Sequence, residues 1–308
     1  MQHVPYVGSG PYCYANSFAM MFGDQAPSTA VIEFATGSPF GMQLIGGSLP
    51  FFDPYGWDPE AGFEGALEAL GWTSETSHGE DAEDALSRLR SALRDGPVWV
   101  GPVEMGHLRH QPGMTGPIEA DHYVVVLALD EERVLMHDPQ GYPYASLPIG
   151  DFMAAWQAKT LTYGAPFTMR TGFRRVAELP EVDMIRAAIP AAIHWLQMTT
   201  DRPMPPASFG NGEAARLLAD RLDGGCGKGL RAHLIHFAVR VGARRTADAA
   251  TCLARAGYRE AALVADEQAR LIGALQYPLV VRNDRAAAET LRRLAPTYDR
   301  LLSALRNR

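Results

Sequence analysis

The sequence predicts an α+β protein made of two units, a mixed unit with an antiparallel sheet over residues 1–178 and an all-helical unit over residues 179–308. Two observations carry this. Residues 97–103 (PVWVGPV), 122–129 (HYVVVLAL) and 133–137 are short apolar runs separated by turn residues, the signature of strands rather than helices. From about Pro180 such runs stop, and apolar residues recur at helical spacing to the end of the chain, a change of period that separates two structural units.

Taken in order, Cys13–Phe22 reads as an apolar helix opened by Gly10-Pro11, and residues 28–36 as another after Pro27. The turn-rich DPYGWDP of residues 53–59 leads into helix patterns over 60–70 and 81–94, the second with Ala85, Leu89 and Leu93 on one face. The strands follow, the last over residues 167–176, with Asp130, Glu131 and Glu132 as the turn between the second and third. Residues 104–120 (EMGHLRHQPGMTGPIEA) have no period, and a stretch of that length inside a domain is usually a functional or a mobile loop. Helix patterns then run over 182–198, 212–222, 229–241, 246–256, 260–276 and 284–306, with MPPASFGNG and DGGCGKG as the clearest breaks.

Composition narrows the function classes. The 28 basic and 35 acidic residues give a formal charge of -7 with no basic tract, which argues against nonspecific nucleic-acid binding. Only Lys159 and Lys228 are lysines; a GC-rich genome produces that arginine bias without function behind it. No stretch approaches the ~18–20 apolar residues of a membrane span, and the N-terminus lacks the basic start and cleavage site of an export signal. The expectation is a cytoplasmic protein without membrane contact. Cys13, Cys226 and Cys252 are far apart and outside any CxxC pattern, which argues against disulfides and a structural zinc site.

Three residues stand out chemically. Cys13 follows Gly-Ser-Gly-Pro-Tyr and opens a helix, where the helix dipole and free amides bias a thiol towards thiolate and can hold an oxyanion. His122 opens a buried strand, and Asp138 lies 16 residues later, past the return strand. A hairpin about residues 130–133 brings the two side by side, the geometry in which a carboxylate accepts the histidine Nδ1 proton and orients the ring. Each residue alone has a plain reading, as core cysteine, structural histidine or Asp-Pro turn; their order and spacing jointly fit one mechanism. Cys226, in a glycine loop, and Cys252, in an Ala-rich helix, have no base placed by the pattern.

The segment CYANSFAMMFGDQAPSTAVIEFATGSPFGM resembles the N-terminal region of the butirosin-biosynthesis acyltransferase family, with a cysteine opening a helix, a downstream glutamate and a Gly-rich turn. DHYVVVLALD followed by MHDPQGYP is similar to the His and Asp motifs of that family and of bacteriocin-processing, papain-like peptidases. GLRAHLIHFAVRVGARRTADAATCLARAGYREAALVADEQARLIGAL is similar to the helical domain that follows the catalytic one there. The resemblance implies a papain-like catalytic domain that moves an acyl group from an acyl carrier protein, or another acyl-thioester donor, through an acyl-cysteine to a small-molecule amine in secondary-metabolite biosynthesis. It makes Cys13 the nucleophile, His122 the general acid/base and Asp138 its orienter, with no metal or organic cofactor.

One departure is Val7, which stands where papain-like peptidases place an oxyanion-hole glutamine six residues before the cysteine. Backbone amides or side chains beside the cysteine, among Ser9, Tyr14 and Asn16, are then the candidates for that role. Glu33 matches the family's glutamate and reads as structural rather than pocket-lining. The helical unit and the 104–120 loop are expected to keep water from the site as a lid, and Arg231, Arg240, Arg244 and Arg245 to be either solvated surface or a contact for an acidic carrier. The rivals are a hydrolase with the same triad and water as acceptor, a non-catalytic binding module on the same scaffold, and an α+β protein with a coincidental cysteine.

Overall fold

The computed structural model describes residues 7–307; residues 1–6, part of the terminus read above for an export signal, lie outside the described residues. The protein is mixed α and β with antiparallel sheets and a helical C-terminal region. It divides into two compact units, Met1–Thr29 with Gly71–Glu178, and Ala30–Leu70 with Leu179–Arg308.

The first unit is built on a six-stranded sheet in the order Trp72–Ser77, Met169–Arg175, Val98–Glu104, Asp121–Leu129, Arg133–Asp138, Tyr142–Pro148, all neighbours antiparallel. Strand alternation sorts the side chains onto two faces. Val98, Val100, Val124, Val126, Val134 and Met136 pack with Leu89 of the helix Ala82–Ala92 and with Phe152 and Trp156 of the helix Ile149–Trp156. Trp99 and Tyr123 belong to the other face, which receives the helix Cys13–Phe22. There Phe18 stacks on Trp99 with ring centroids 5.0 Å apart, and Phe22 on Trp72 at 4.2 Å. Such pairs contribute about 0.5–1.5 kcal/mol each beyond the area they bury. A helix whose first residue is Cys13 is thereby locked to the sheet that carries His122.

Sequence periodicity finds the central strands and misses the edge ones. Trp72–Ser77 (WTSETS) is mostly half-buried and Tyr142–Pro148 (YPYASLP) mostly exposed, and neither shows apolar alternation, because an edge strand with one wet side needs little.

The second unit corrects the expected division at 178/179. The boundary after residue 178 recurs, but Ala30–Leu70 belongs with the C-terminal helices, and the unit is not all-helical. Gln43–Ile45 pairs with Leu49–Phe51 and, from the far end of the sequence, with Phe209–Gly210. The physical reason for the merger is charge. Glu33 is fully buried and Asp53 nearly so, and neither is tolerable without a cation. Arg245 supplies it, with Nη2 3.0 Å from Glu33 Oε1 and Nη1 3.2 Å from Asp53 Oδ2.

Two expected helix boundaries also move. The helices expected over 229–241 and 246–256 are continuous: Lys228–His233 passes through a π-helical turn, Leu234–Ala238, into Val239–Arg255. Gly242 lies inside this helix, and its missing Cβ admits the Phe52 side chain; a Cβ there would meet the Phe52 Cβ at 2.5 Å and its ring at 2.7 Å. The pattern over 284–306 splits into Asp284–Leu294 and Thr297–Arg306 at Pro296, which cannot donate the backbone hydrogen bond that a continuous helix requires.

Replacing Arg245 by methionine should strand two buried carboxylates and destabilise the protein by about 3–5 kcal/mol in urea titration. Adding Glu33→Gln to that variant should recover part of the loss. A cost below about 1 kcal/mol for the single change would show that this ion cluster does not hold the unit together.

Candidate active site

The site lies within the first unit. Residues 9–12 approach the helix Cys13–Phe22 through left-handed backbone at Ser9 (φ 93°), Gly10 (φ 82°) and Tyr12 (φ 112°), and no side chain caps the helix. A non-glycine residue at such φ is strained, and its neighbours must hold it. One hold is visible: the Ser9 N–H donates to the carbonyl of Pro139 at 2.8 Å, tying the approach to the residue after Asp138. Cys13 is thus delivered, partly exposed, at a helix N-terminus without acidic residues in its first turn.

The hairpin inferred from spacing is present. Leu129 pairs with Val134 across a turn closed by Asp130 Oδ1, which accepts the N–H groups of Glu132 and Arg133 at 2.8 and 2.7 Å. At its outer end His122 and Asp138 meet with Nε2 2.7 Å from Oδ1. The nitrogen differs from the expectation: the carboxylate stands beyond the tip of the ring, where Nε2 reaches it, so Nδ1 is left for the other partner. That partner is Cys13, whose side chain is hydrogen-bonded to His122.

Asp138 is fully buried, and four donors converge on it. Oδ1 also accepts the Gln140 backbone N–H at 2.8 Å, while Oδ2 accepts from His110 Nε2 and Gln111 Nε2, each at 2.7 Å. Burial alone would raise the pKa of Asp138, but the charge on His122 and the hydrogen bonds from His110, His122 and Gln140 outweigh it and hold it well below the usual carboxylate range. Burial alone would lower His122; the charge and hydrogen bond of Asp138, helped by Cys13, push it up to about 10. The arrangement favours an imidazolium held between the Asp138 carboxylate and the Cys13 side chain.

His110 and Gln111 were not picked out by sequence reasoning, although their loop was. Residues 104–120 are held by a clamp at Glu104, whose carboxylate accepts the N–H groups of Gly106 and Ile118 at 3.0 Å, that of Glu119 at 3.1 Å, and the hydroxyl of Thr160. Burial raises the Glu104 pKa, but these bonds prevail and lower it, so the clamp is anionic. The loop is therefore a fixed wall that brings two donors to Asp138. A histidine-glutamine pair in an otherwise aperiodic stretch was the signal available.

The remaining expected residues separate. Tyr14 is buried edge-on against Tyr123, with centroids 6.0 Å apart, and acts in packing. Asn16, one turn from Cys13, is 2% exposed, and its Nδ2 has no acceptor among the described residues. The Ser9 side chain belongs to an exposed residue, while its backbone is the tie to Pro139. Glu33 lies in the other unit, bonded to Arg245 and to the Ser38 hydroxyl at 2.8 Å, a structural ion pair. Cys252 is buried and its thiol is pushed up to about 12 by that burial; burial also raises Cys226. The four arginines do not form one cationic patch: Arg245 is buried on Glu33 and Asp53, Arg231 is held by Asp284 and the Leu279 carbonyl, Arg244 faces Asp248 at 3.9 Å, and Arg240 donates to the His236 carbonyl.

The titrations predict a pH signature. The lowered pKa of Asp138 contributes stability that is complete above the ordinary 3.8 and lost as acid reprotonates it. The raised pKa of His122 contributes stability that is complete below 6.5 and lost as pH climbs through about 10. Both act fully between 3.8 and 6.5, so Asp138→Ala should cost most there, about 3–5 kcal/mol, and clearly less near pH 10. Denaturant titrations of parent and variant at both ends would refute this by giving equal losses.

Against known proteins, the model of the YobF C-terminal domain matches residues 205–306, which include none of Cys13, His110, His122 or Asp138. The protein named "Uncharacterized protein YobF" from Bacillus subtilis (strain 168) is 32% identical over 161 residues. That match takes in 51% of this chain and 52% of the relative, so the chain spans about half the length of the curated relative it matches. The similarity is to a protein whose name states no activity.

Proposed function

We propose that the protein is a cysteine-nucleophile acyltransferase with a papain-like catalytic unit, taking an acyl group from a thioester donor through an acyl-Cys13 to an amine. The observation that carries the reading is His122 held between the Cys13 side chain and the buried Asp138 carboxylate, with Cys13 at a helix N-terminus.

In this reading His122 Nδ1 takes the Cys13 proton, giving a thiolate–imidazolium pair. The thiolate attacks the thioester carbonyl, the carbon–sulfur bond to the donor breaks, and the departing thiol takes the proton from His122. An amine then attacks acyl-Cys13; its proton passes to His122 as the Cys13 thiolate leaves, and the ion pair is restored. Asp138 stabilises the imidazolium throughout and stays ionised. The first turn of the nucleophile helix offers amides to the carbonyl oxygen, and Asn16 offers a carboxamide donor, in the role that the glutamine absent at Val7 would play. Thioester exchange onto cysteine is nearly neutral in energy and amide formation is downhill, so no metal or organic cofactor enters the balance. The donor is an acyl thioester, on an acyl carrier protein in the form the family resemblance suggests.

Intact-mass spectrometry after mixing with a panel of acyl thioesters should show one acyl adduct, on Cys13. Cys13→Ala should abolish it, and His122→Ala should slow it by about 10²–10⁴-fold. Cys226→Ser and Cys252→Ser should load normally. Adduct on either of those cysteines, or none on Cys13 with any thioester, overturns the reading. Release of free acid at the same rate with and without amines would make the protein a hydrolase with the same triad.

A further inference from the structure

Among the described residues, His110 is the conspicuous group for which the triad mechanism has no use. Its Nε2 sits 2.7 Å from Asp138 Oδ2, the same separation that His122 keeps from Oδ1. One buried carboxylate therefore bridges two imidazoles. The His110 side chain is only 10% exposed, and its Nδ1 is buried with no hydrogen-bond partner among the described residues. A ring in that position carries its proton on Nε2, where the acceptor is, and leaves the Nδ1 lone pair unsatisfied. Filling the space alone would not require that cost, which a leucine of similar size avoids. The ring lies edge-on to Tyr142 with centroids 5.4 Å apart, and the adjacent Gln111 shares Oδ2. It is delivered by the loop that the Glu104 clamp fixes, so its placement depends on a second buried carboxylate.

We propose that His110 is a positioning residue that, together with Gln111, limits rotation of the Asp138 carboxylate and divides its negative charge with His122. The inference rests on the reading of Cys13 as nucleophile. Rotation of the carboxylate about its Cβ–Cγ bond is opposed at Oδ2 by two donors, His110 and Gln111, and at Oδ1 by His122 and Gln140; without His110 the hold on Oδ2 falls to the Gln111 amide alone. The charge sharing has a direction. A carboxylate that accepts only from His122, Gln111 and Gln140 concentrates its field on the imidazolium, holding the proton more tightly and giving it up to a leaving thiol more slowly. The titratable groups around the pair are Cys13 from the nucleophile helix, His110 from the clamped loop and Tyr142 from the edge strand.

The test measures the rate of Cys13 alkylation by iodoacetamide across pH, by intact mass, in a Cys226→Ser, Cys252→Ser background where Cys13 alone reports. In His110→Leu the alkaline limb, set by loss of the His122 proton, should move up, a roughly three- to tenfold lower apparent dissociation constant. In His110→Gln the amide N–H can replace the donor, and the limb should return to the parental position. A limb that stays or moves down in a folded His110→Leu protein, or that Gln fails to restore, overturns the proposal. If the leucine variant does not fold, the imidazole nitrogen spectrum of the parent decides: His110 must carry its proton on Nε2, and a proton on Nδ1 overturns it. Failure of Cys13 to alkylate at any pH in the parent would instead remove the nucleophile itself, and the inference with it.

Discussion

The buried charge of Asp138 is the constraint around which the candidate site is organised. A carboxylate at zero exposure is untenable unless donors meet it, and the chain brings them from four places: the end of one strand, the turn that follows Asp138 itself, and two adjacent residues of a clamped loop. Each arrival fixes something beyond the hydrogen bond. His122 fixes the register at the open end of the hairpin, Gln140 fixes the turn into the next strand, and His110 with Gln111 pins a stretch that would otherwise have no regular structure. The Ser9 tie to Pro139 extends the same centre to the nucleophile.

The two units solve one electrostatic problem in opposite ways. In the first, neutral and titratable donors surround the carboxylate, so the local charge can change hands. In the second, Glu33 and Asp53 meet the guanidinium of Arg245, which never gives up its proton, and the assembly is fixed. The same contrast separates a titratable centre from a cluster suited to holding structure, and it accords with the sequence reading of Glu33 as a structural residue.

Much of this was legible in the sequence where local physics decides. The first helix begins at Cys13 as the Gly-Pro approach implies, and the spacing of 16 residues across a charged turn correctly places His122 beside Asp138. What was not legible depends on partners distant along the chain. The histidine nitrogen facing Asp138 follows from where the carboxylate stands, which spacing does not specify. His110 looks like any loop histidine until the loop is folded back over Asp138. The merger of residues 30–70 with the C-terminal helices hangs on Arg245, about two hundred residues from the carboxylates it neutralises.

That last long-range dependence has a consequence for how the chain is made. Synthesis runs from the N-terminus, and everything the first unit requires, residues up to 178, exists before any of the C-terminal helices does. The segment 30–70 then precedes its partners, carrying two acids whose burial is unfavourable until Arg245 has left the ribosome. Val31, Ile32 and Phe34 share their helix with Glu33, so the buried places they hold are tied to the burial of that charge. The ion cluster that closes the second unit therefore cannot form before residue 245 has been made, which ties completion of that unit to the late part of synthesis.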